Sequence, residues 1–108
     1  MTNPVVHFEI MGGDPAAQQK FYADLLGWRV EASGPEMGFY GVVDTQGGEG
    51  INGGIGVGPE GSPSYTTIYV AVEDMKTTLE KAEELGAKVI VPITEIPNIV
   101  TFAMFLDR

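Results

Sequence analysis

The chain has no cysteine and a single histidine, His7, among its 108 residues. The lack of cysteine excludes disulfides, thiolate nucleophiles and cysteine metal sites, and it is typical of proteins from a reducing cytoplasm. Any imidazole chemistry therefore depends on His7. The three serines lie in turn-like stretches without a nucleophile elbow, so a serine nucleophile is not expected either.

Basic residues and long apolar runs are also scarce. Six Lys and Arg stand against fifteen Asp and Glu, which gives a net charge of −9. A polyanion would be repelled by this charge, so nucleic acid is not an expected partner. No segment reaches the length of a membrane span, and the N-terminal MTNPVV does not resemble a signal peptide. We expect a soluble, cytoplasmic protein with no membrane contact.

What the chain does contain is a pattern that occurs twice, about sixty residues apart. In each copy a strand leads into a helix that begins at an Asp and ends at a Leu-Gly pair. Superposing the copies places His7 opposite Thr67 and Asp14 opposite Asp74. A duplicated half-domain typically builds its site between the copies. The sequence thus predicts one domain over 1–108, with a first module at 1–57, a linker at 58–64 and a second module at 65–108.

Alternation and turn chemistry predict the remaining elements. The first strand points His7 and Glu9 to one face and Phe8 to the other. Asp14 and Pro15 predict a helix start, and Gly27 its left-handed end. The predicted order is βαβββ, linker, βαββ. The predicted strands lie at 5–11, 28–32, 39–44, 51–57, 66–72, 88–93 and 99–107, and the predicted helices at 15–26 and 74–85.

This order, together with the strings VVHFEI, FYADLLGW, YVAVEDM, AEELGAKV and FAMFLD, resembles the vicinal oxygen chelate superfamily. That group includes glyoxalase I, bleomycin-resistance proteins, extradiol dioxygenases and fosfomycin-resistance enzymes. The resemblance implies an α+β fold in which two βαβββ modules form a cupped mixed sheet with the helices outside. Family chains continue with a further strand beyond the position of Arg108. We expect either a truncated chain or a partner that supplies this last strand of the second module.

The resemblance also implies where a divalent metal would bind. Family metal ligands are His and Glu side chains from the first and last strands of each module. His7 matches the first of these positions, whereas Thr67 stands at the equivalent place in the second module, where a hydroxyl is a poor ligand. The strand INGGIGV carries no carboxylate, and the last ligand strand is missing. His7 is the sole surviving position, so no metal or other cofactor is expected, although a divalent metal held by His7, Glu9 and water is possible.

The candidate site residues follow from the cup that the resemblance implies. His7 and Glu9 could share a proton or jointly bind a polar group, or they could be structural, with Glu9 paired to Arg29 or Lys88. The aromatic side chains on these strands are suited either to an apolar organic ligand or to an ordinary hydrophobic core. Phe39 or Tyr40 would belong to that aromatic set. The residues expected to line the site are His7, Glu9, Thr67, Tyr69 and Phe102.

Three functions remain open on this sequence. The leading hypothesis is a glyoxalase/bleomycin-resistance-like protein that binds a small organic molecule in its cup, without the full metal site of the family. The alternative is a metal-dependent lyase, isomerase or dioxygenase that uses His7 and Glu9 as catalytic candidates. The third possibility is an accessory module whose cup is merely packed. The resemblance also implies a homodimer.

Overall fold

The computed structural model describes residues 3–34, 39–46, 48, 50–58 and 63–107. These residues form an α+β fold whose element order matches the prediction from sequence. The fold class is therefore confirmed. The strands are β1 (Val5–Gly12), β2 (Arg29–Ala32), β3 (Gly41–Asp44), β4 (Gly53–Val57), β5 (Tyr65–Val70), β6 (Lys88–Ile96) and β7 (Val100–Leu106), and the helices are α1 (Pro15–Leu26) and α2 (Met75–Glu84).

The chain divides into two compact units, Met1–Ala71 and Val72–Arg108. The first unit contains α1 and a mixed sheet with the strand order β2-β3-β4-β1-β5. In this sheet β1 runs parallel to β4 and antiparallel to β5. The strand β5 follows the linker in sequence, yet it completes the sheet of the first unit. β1 thus has a neighbour on each side.

The sequence signals at the two ends of α1 act as predicted. The side chain of Asp14 accepts a hydrogen bond from the backbone N–H of Ala17 at 3.1 Å, which satisfies one of the free donors of the first turn. Pro15 occupies the first helical turn, where a missing N–H costs nothing. Gly27 ends the helix in the left-handed conformation with φ of 73°, and its N–H bonds to the carbonyl of Ala23.

The core of the first unit lies between α1 and one face of the sheet. Val43 and Ile55 are fully buried there. The ring of Trp28 stacks on Tyr22 of α1 at 5.4 Å between centroids, and it contacts Phe8 of β1 at 5.5 Å. Aromatic pairs at such distances add to the burial of apolar area. Trp28 therefore fastens the helix to the sheet.

One polar side chain also belongs to this core. Gln19 of α1 is 8% exposed, and its amide Nε2 donates to the carbonyl oxygens of Ile55 at 3.0 Å and Phe39 at 3.1 Å. A buried polar group is tolerated when it is hydrogen-bonded. Gln19 thus ties the helix to β4 and to the residue that precedes Tyr40.

The second unit is built from α2 and a β-hairpin. The side chain of Asp74 caps α2 by accepting from the N–H of Thr77 at 3.1 Å. The strands β6 and β7 pair antiparallel from Lys88 with Leu106 to Ile96 with Val100. Asn98 adopts a φ of 64° in the turn, a conformation that asparagine tolerates better than most residues.

Neither helix in the described part of the chain is long and apolar enough to cross a membrane.

Candidate functional site

The register of β1 and β5 collects the predicted polar residues on one face of the first sheet. His7 lies opposite Tyr69, and Glu9 lies opposite Thr67. Phe8 points to the other face, which α1 covers. Since successive strand residues alternate between faces, His7, Glu9, Thr67 and Tyr69 share the face opposite α1. We refer to this surface as the face opposite α1.

Tyr40 is the residue just before β3, and its hydroxyl joins His7 and Glu9 into a hydrogen-bonded network. Its hydroxyl lies 2.8 Å from Nε2 of His7 and 2.9 Å from Oε2 of Glu9. The hydroxyl of Tyr69 donates to the other carboxylate oxygen, Oε1 of Glu9, at 2.8 Å. The rings of His7 and Tyr69 meet edge to face at 5.5 Å. Glu9 is thus held between two phenols, and both of them also contact the histidine, Tyr40 through its hydroxyl and Tyr69 through its ring.

The environment keeps both phenols protonated. Burial, followed by the negative charge and hydrogen bond of Glu9, raises the pKa of Tyr40 well above its usual value. Burial and the hydrogen bond to Glu9 raise the pKa of Tyr69 in the same direction. The pKa of Tyr65 is also raised, by burial and then by Glu9. At neutral pH these hydroxyls are donors, and Glu9 is the group that accepts from Tyr40 and Tyr69.

Local backbone geometry places the Tyr40 side chain. Phe39 has a φ of 59°, so the strand alternation starts only after it. The carbonyl of Tyr40 then accepts from the N–H of Ser33 at 3.0 Å and from the Ser33 hydroxyl. Tyr40 shares the parity of Val42, which is paired with Gly54. The side chain therefore extends over β4 on the face opposite α1.

Two glycines of β4 make room for this ring. A Cβ at Gly54 would meet the hydroxyl end of Tyr40, and a Cβ at Gly56 would meet the same ring at 2.8 Å. On the other side of the strand, a Cβ at Gly53 would meet Phe8. Glycine within a strand often marks a place where another group approaches closely. The structure shows which side chain approaches.

The predicted site residues are divided between the two units. Thr67 is on the shared face, and among the described residues its Oγ1 hydrogen-bonds to the carbonyl of Ile68, at 3.5 Å. Phe102 lies on β7 in the second unit, paired with Thr94. Arg29 is exposed and contacts Gln46, so the expected alternative pairing of Arg29 with Glu9 is wrong. Glu9 contacts tyrosines instead.

The sequence predicted that either Phe39 or Tyr40 belongs to the aromatic set, and it did not distinguish between the two residues. Phe39 and Tyr40 fall on opposite parities, and the choice depended on where β3 begins. Only the φ of Phe39 and the Ser33 contacts decide it. A usable signal was nevertheless present: alternate glycines in GGIGV imply that a large side chain from a neighbouring strand fills the space.

The donors of this face do not match the metal site that the resemblance implies. Among the described residues, no three His, Cys, Asp or Glu side chains are grouped as they would be around a metal ion. His7 and Glu9 lie close together, but the protonated phenol of Tyr40 hydrogen-bonds to both of them. A divalent ion at this position would have to displace Tyr40 and recruit further oxygen or nitrogen ligands. The arrangement is suited to hydrogen bonding.

An open groove of about 520 Å³ lies elsewhere in the first unit, at the start of α1. It is lined by Gly13, Asp14, Ala17, Gln18, Phe21, Tyr22 and Ser64 and includes none of the networked residues. A volume of this size could admit a small molecule. The convergent polar groups are nevertheless on the other face of the sheet, and we take that face as the candidate site.

Comparison with known proteins agrees with the fold. The sequence model of the Glyoxalase/Bleomycin resistance protein/Dioxygenase superfamily matches residues 5–108, so the chain belongs to this family. It is also similar to the protein named "Putative glyoxylase CFP32" from Mycobacterium bovis and from Mycobacterium tuberculosis, with 32% identity over 88 residues in each case. The match covers 77% of this chain and 33% of each relative, so it spans about a third of the length of those proteins.

Proposed function

We propose that this protein binds a small organic molecule on the face opposite α1, with His7, Glu9, Thr67 and Tyr69 in contact with it. The observation that carries the proposal is the network of Tyr40 and Tyr69 on Glu9, with His7 attached. Binding sites typically combine apolar and aromatic walls with a few convergent polar groups. This face offers both within a few strand positions.

Each side chain has a distinct part in this proposal. The ring of Tyr69 supplies apolar contact area, and Thr67 offers a hydroxyl beside Glu9. Glu9 is a fixed hydrogen-bond acceptor, because phenol donors hold both of its oxygens in place. His7 offers ring nitrogens that can accept or donate a hydrogen bond. The protein would act by sequestering or presenting its ligand.

Native mass spectrometry of gently desalted protein tests this proposal. We expect a retained small molecule on the wild type, and its loss in Glu9→Ala and Tyr69→Phe. Lys20→Ala is the matched control, because Lys20 is exposed and pairs with Asp24 on the surface of α1. If all these proteins show the same mass excess, or if none of a fragment library shifts amide signals on β1 and β5, the proposal is wrong.

A metal-dependent enzyme is the second candidate. Two observations favour it: the relatives bear the name glyoxylase, and His7 and Glu9 are adjacent on one face. In that case the chain would be a lyase, isomerase or dioxygenase. Elemental analysis of protein purified without chelator discriminates between the two candidates. Near-stoichiometric zinc, nickel, manganese or iron that disappears in His7→Ala would replace the metal-free proposal with this one.

We also infer that the protein forms a homodimer. Several apolar side chains of α1 are exposed within the described chain, among them Phe21 at 57% and Leu25 at 62%. Clustered apolar exposure of this kind marks interaction surfaces. Light scattering during size-exclusion chromatography should give twice the mass of 11.5 kDa. A monomer mass at all concentrations would contradict this inference.

A further inference from the structure

The hydrogen bonds of Tyr40 determine where the proton of His7 must be. Tyr40 has a single hydroxyl proton, and an ionised carboxylate can only accept. Both oxygens of Glu9 accept from tyrosine hydroxyls, so the proton of Tyr40 lies on the side of Glu9. Nε2 of His7, 2.8 Å from the same hydroxyl oxygen, must then donate to it. The neutral imidazole consequently carries its proton on Nε2.

We propose that Tyr40 is a positioning residue that fixes His7 in the Nε2–H tautomer, so that Nδ1 is the hydrogen-bond acceptor presented to a ligand. Nδ1 makes no hydrogen bond within the described residues. A ligand of this site is then a molecule that donates a hydroxyl or N–H proton. This inference rests on the proposed function for its ligand, but its statement about the tautomer holds without one.

The position of the Tyr40 ring over β4 brings its hydroxyl to both His7 and Glu9. Its hydroxyl end occupies the space over Gly54, directly beside Glu9 in the parallel register of β1 and β4. The ring lies against Gly54 and Gly56, where any Cβ would collide with it. A phenylalanine at position 40 would keep the ring against Gly54 and Gly56 and remove only the hydroxyl that bridges His7 and Glu9.

The single histidine makes a direct test simple. Tag-free protein labelled with ¹⁵N-histidine gives the signals of one imidazole, and long-range proton–nitrogen spectra identify which nitrogen carries the proton. We expect a slowly exchanging Nε2–H in the wild type. In Tyr40→Phe its exchange with water should be about five- to tenfold faster, because the hydrogen bond to the phenol is lost.

Tyr69→Phe is the matched control. It removes the other hydrogen bond to Glu9 and leaves the bridge from Tyr40 to His7 intact. We expect its Nε2–H signal to persist. A wild-type proton on Nδ1, an unchanged exchange rate in Tyr40→Phe, or an equal loss in both variants would overturn the proposal. Circular dichroism of each variant separates these results from unfolding.

A pair of probes tests the ligand class. p-Cresol and 4-methylanisole have similar shapes, but only p-cresol donates a hydrogen bond. We expect p-cresol to shift the Nδ1 signal of the wild type and 4-methylanisole to leave it unchanged. Equal shifts would overturn the preference for donors. If neither probe shifts any signal of β1 or β5 while the tautomer result holds, then the binding proposal fails and the positioning role of Tyr40 stands.

Discussion

The hydroxyl end of Tyr40 occupies the space where any residue larger than glycine at position 54 would place its side chain. The two residues are therefore a matched pair: Gly54 makes room, and Tyr40 fills it and reaches His7 and Glu9. β4 contributes no side chain to the hydrogen-bonded network, yet it shapes the site. The absence of a side chain at Gly54 leaves the space that Tyr40 occupies.

Gly54→Ala should destabilise the protein and break the network. The new methyl group would force the Tyr40 ring off β4, and overpacking of this kind costs about 1–3 kcal/mol. Urea denaturation measures the free energy of unfolding. The control is Gly13→Ala, because nothing lies within 4 Å of a Cβ at Gly13. If the two substitutions have equal effects, Tyr40 does not depend on Gly54.

Gln19→Leu should destabilise the protein, because Gln19 is buried and its amide is hydrogen-bonded. The substitution leaves the carbonyls of Phe39 and Ile55 without the amide that bonds to them, and a buried unsatisfied group costs about 1–3 kcal/mol. Thermal and urea unfolding would measure the loss. The neighbouring Lys20→Ala is the comparison, since its ion pair with Asp24 is on the surface. Similar stabilities for both variants would contradict a structural role of Gln19.

Stability should decline at alkaline pH. The pKa values of Tyr40 and Tyr69 are raised in the folded protein from a usual value of 10.0. Above about pH 10 the unfolded chain therefore releases phenol protons that the folded chain retains, and the free energy of unfolding falls as pH rises. Below pH 10 the contribution is fully present. Urea denaturation between about pH 8 and pH 11 measures this trend, and a double variant, Tyr40→Phe with Tyr69→Phe, should flatten it.

Glu9→Gln should lower the pKa of both phenols without restoring ordinary values. Burial is the largest cause of each raised pKa, and the charge and hydrogen bond of Glu9 add to it. Ultraviolet absorbance during alkaline titration follows the ionisation of tyrosines. Asp24→Asn is a suitable control, since Asp24 contacts Lys20 on α1. Phenols that titrate identically in Glu9→Gln and the wild type would show that the carboxylate does not govern them.

The fold was predictable because its signals are local. Asp14 and Gly27 each act on backbone groups within one helical turn, so the ends of α1 are set by adjacent sequence. Strand alternation placed His7 and Glu9 on one face, as the register with β5 confirms. The site was less predictable, because the contacts of Glu9 come from residues 31 and 60 positions away. No local pattern specifies which tyrosine reaches a given carboxylate.

The start of β3 illustrates the same limit. The alternation of apolar and polar residues allowed a strand that begins at Phe39. This pattern does not predict the φ of 59° that Phe39 adopts. That conformation is stabilised from outside the strand, by Gln19 of α1 on the carbonyl of Phe39. Tertiary contacts therefore determined which aromatic side chain joins the site.

The place of β5 in the first unit has a consequence for how the protein is made. Tyr69 hydrogen-bonds to Glu9, which is 60 positions away in sequence. The edge of β1 that faces β5 stays unpaired until β5 has been added to the sheet. Long-range pairing of this kind slows folding, since a large loop must close first. During synthesis His7 and Glu9 emerge before β5, and their surroundings are complete only after residue 70 has left the ribosome. A nascent chain that ends at the linker would carry His7 and Glu9 without the partner strand that orders them.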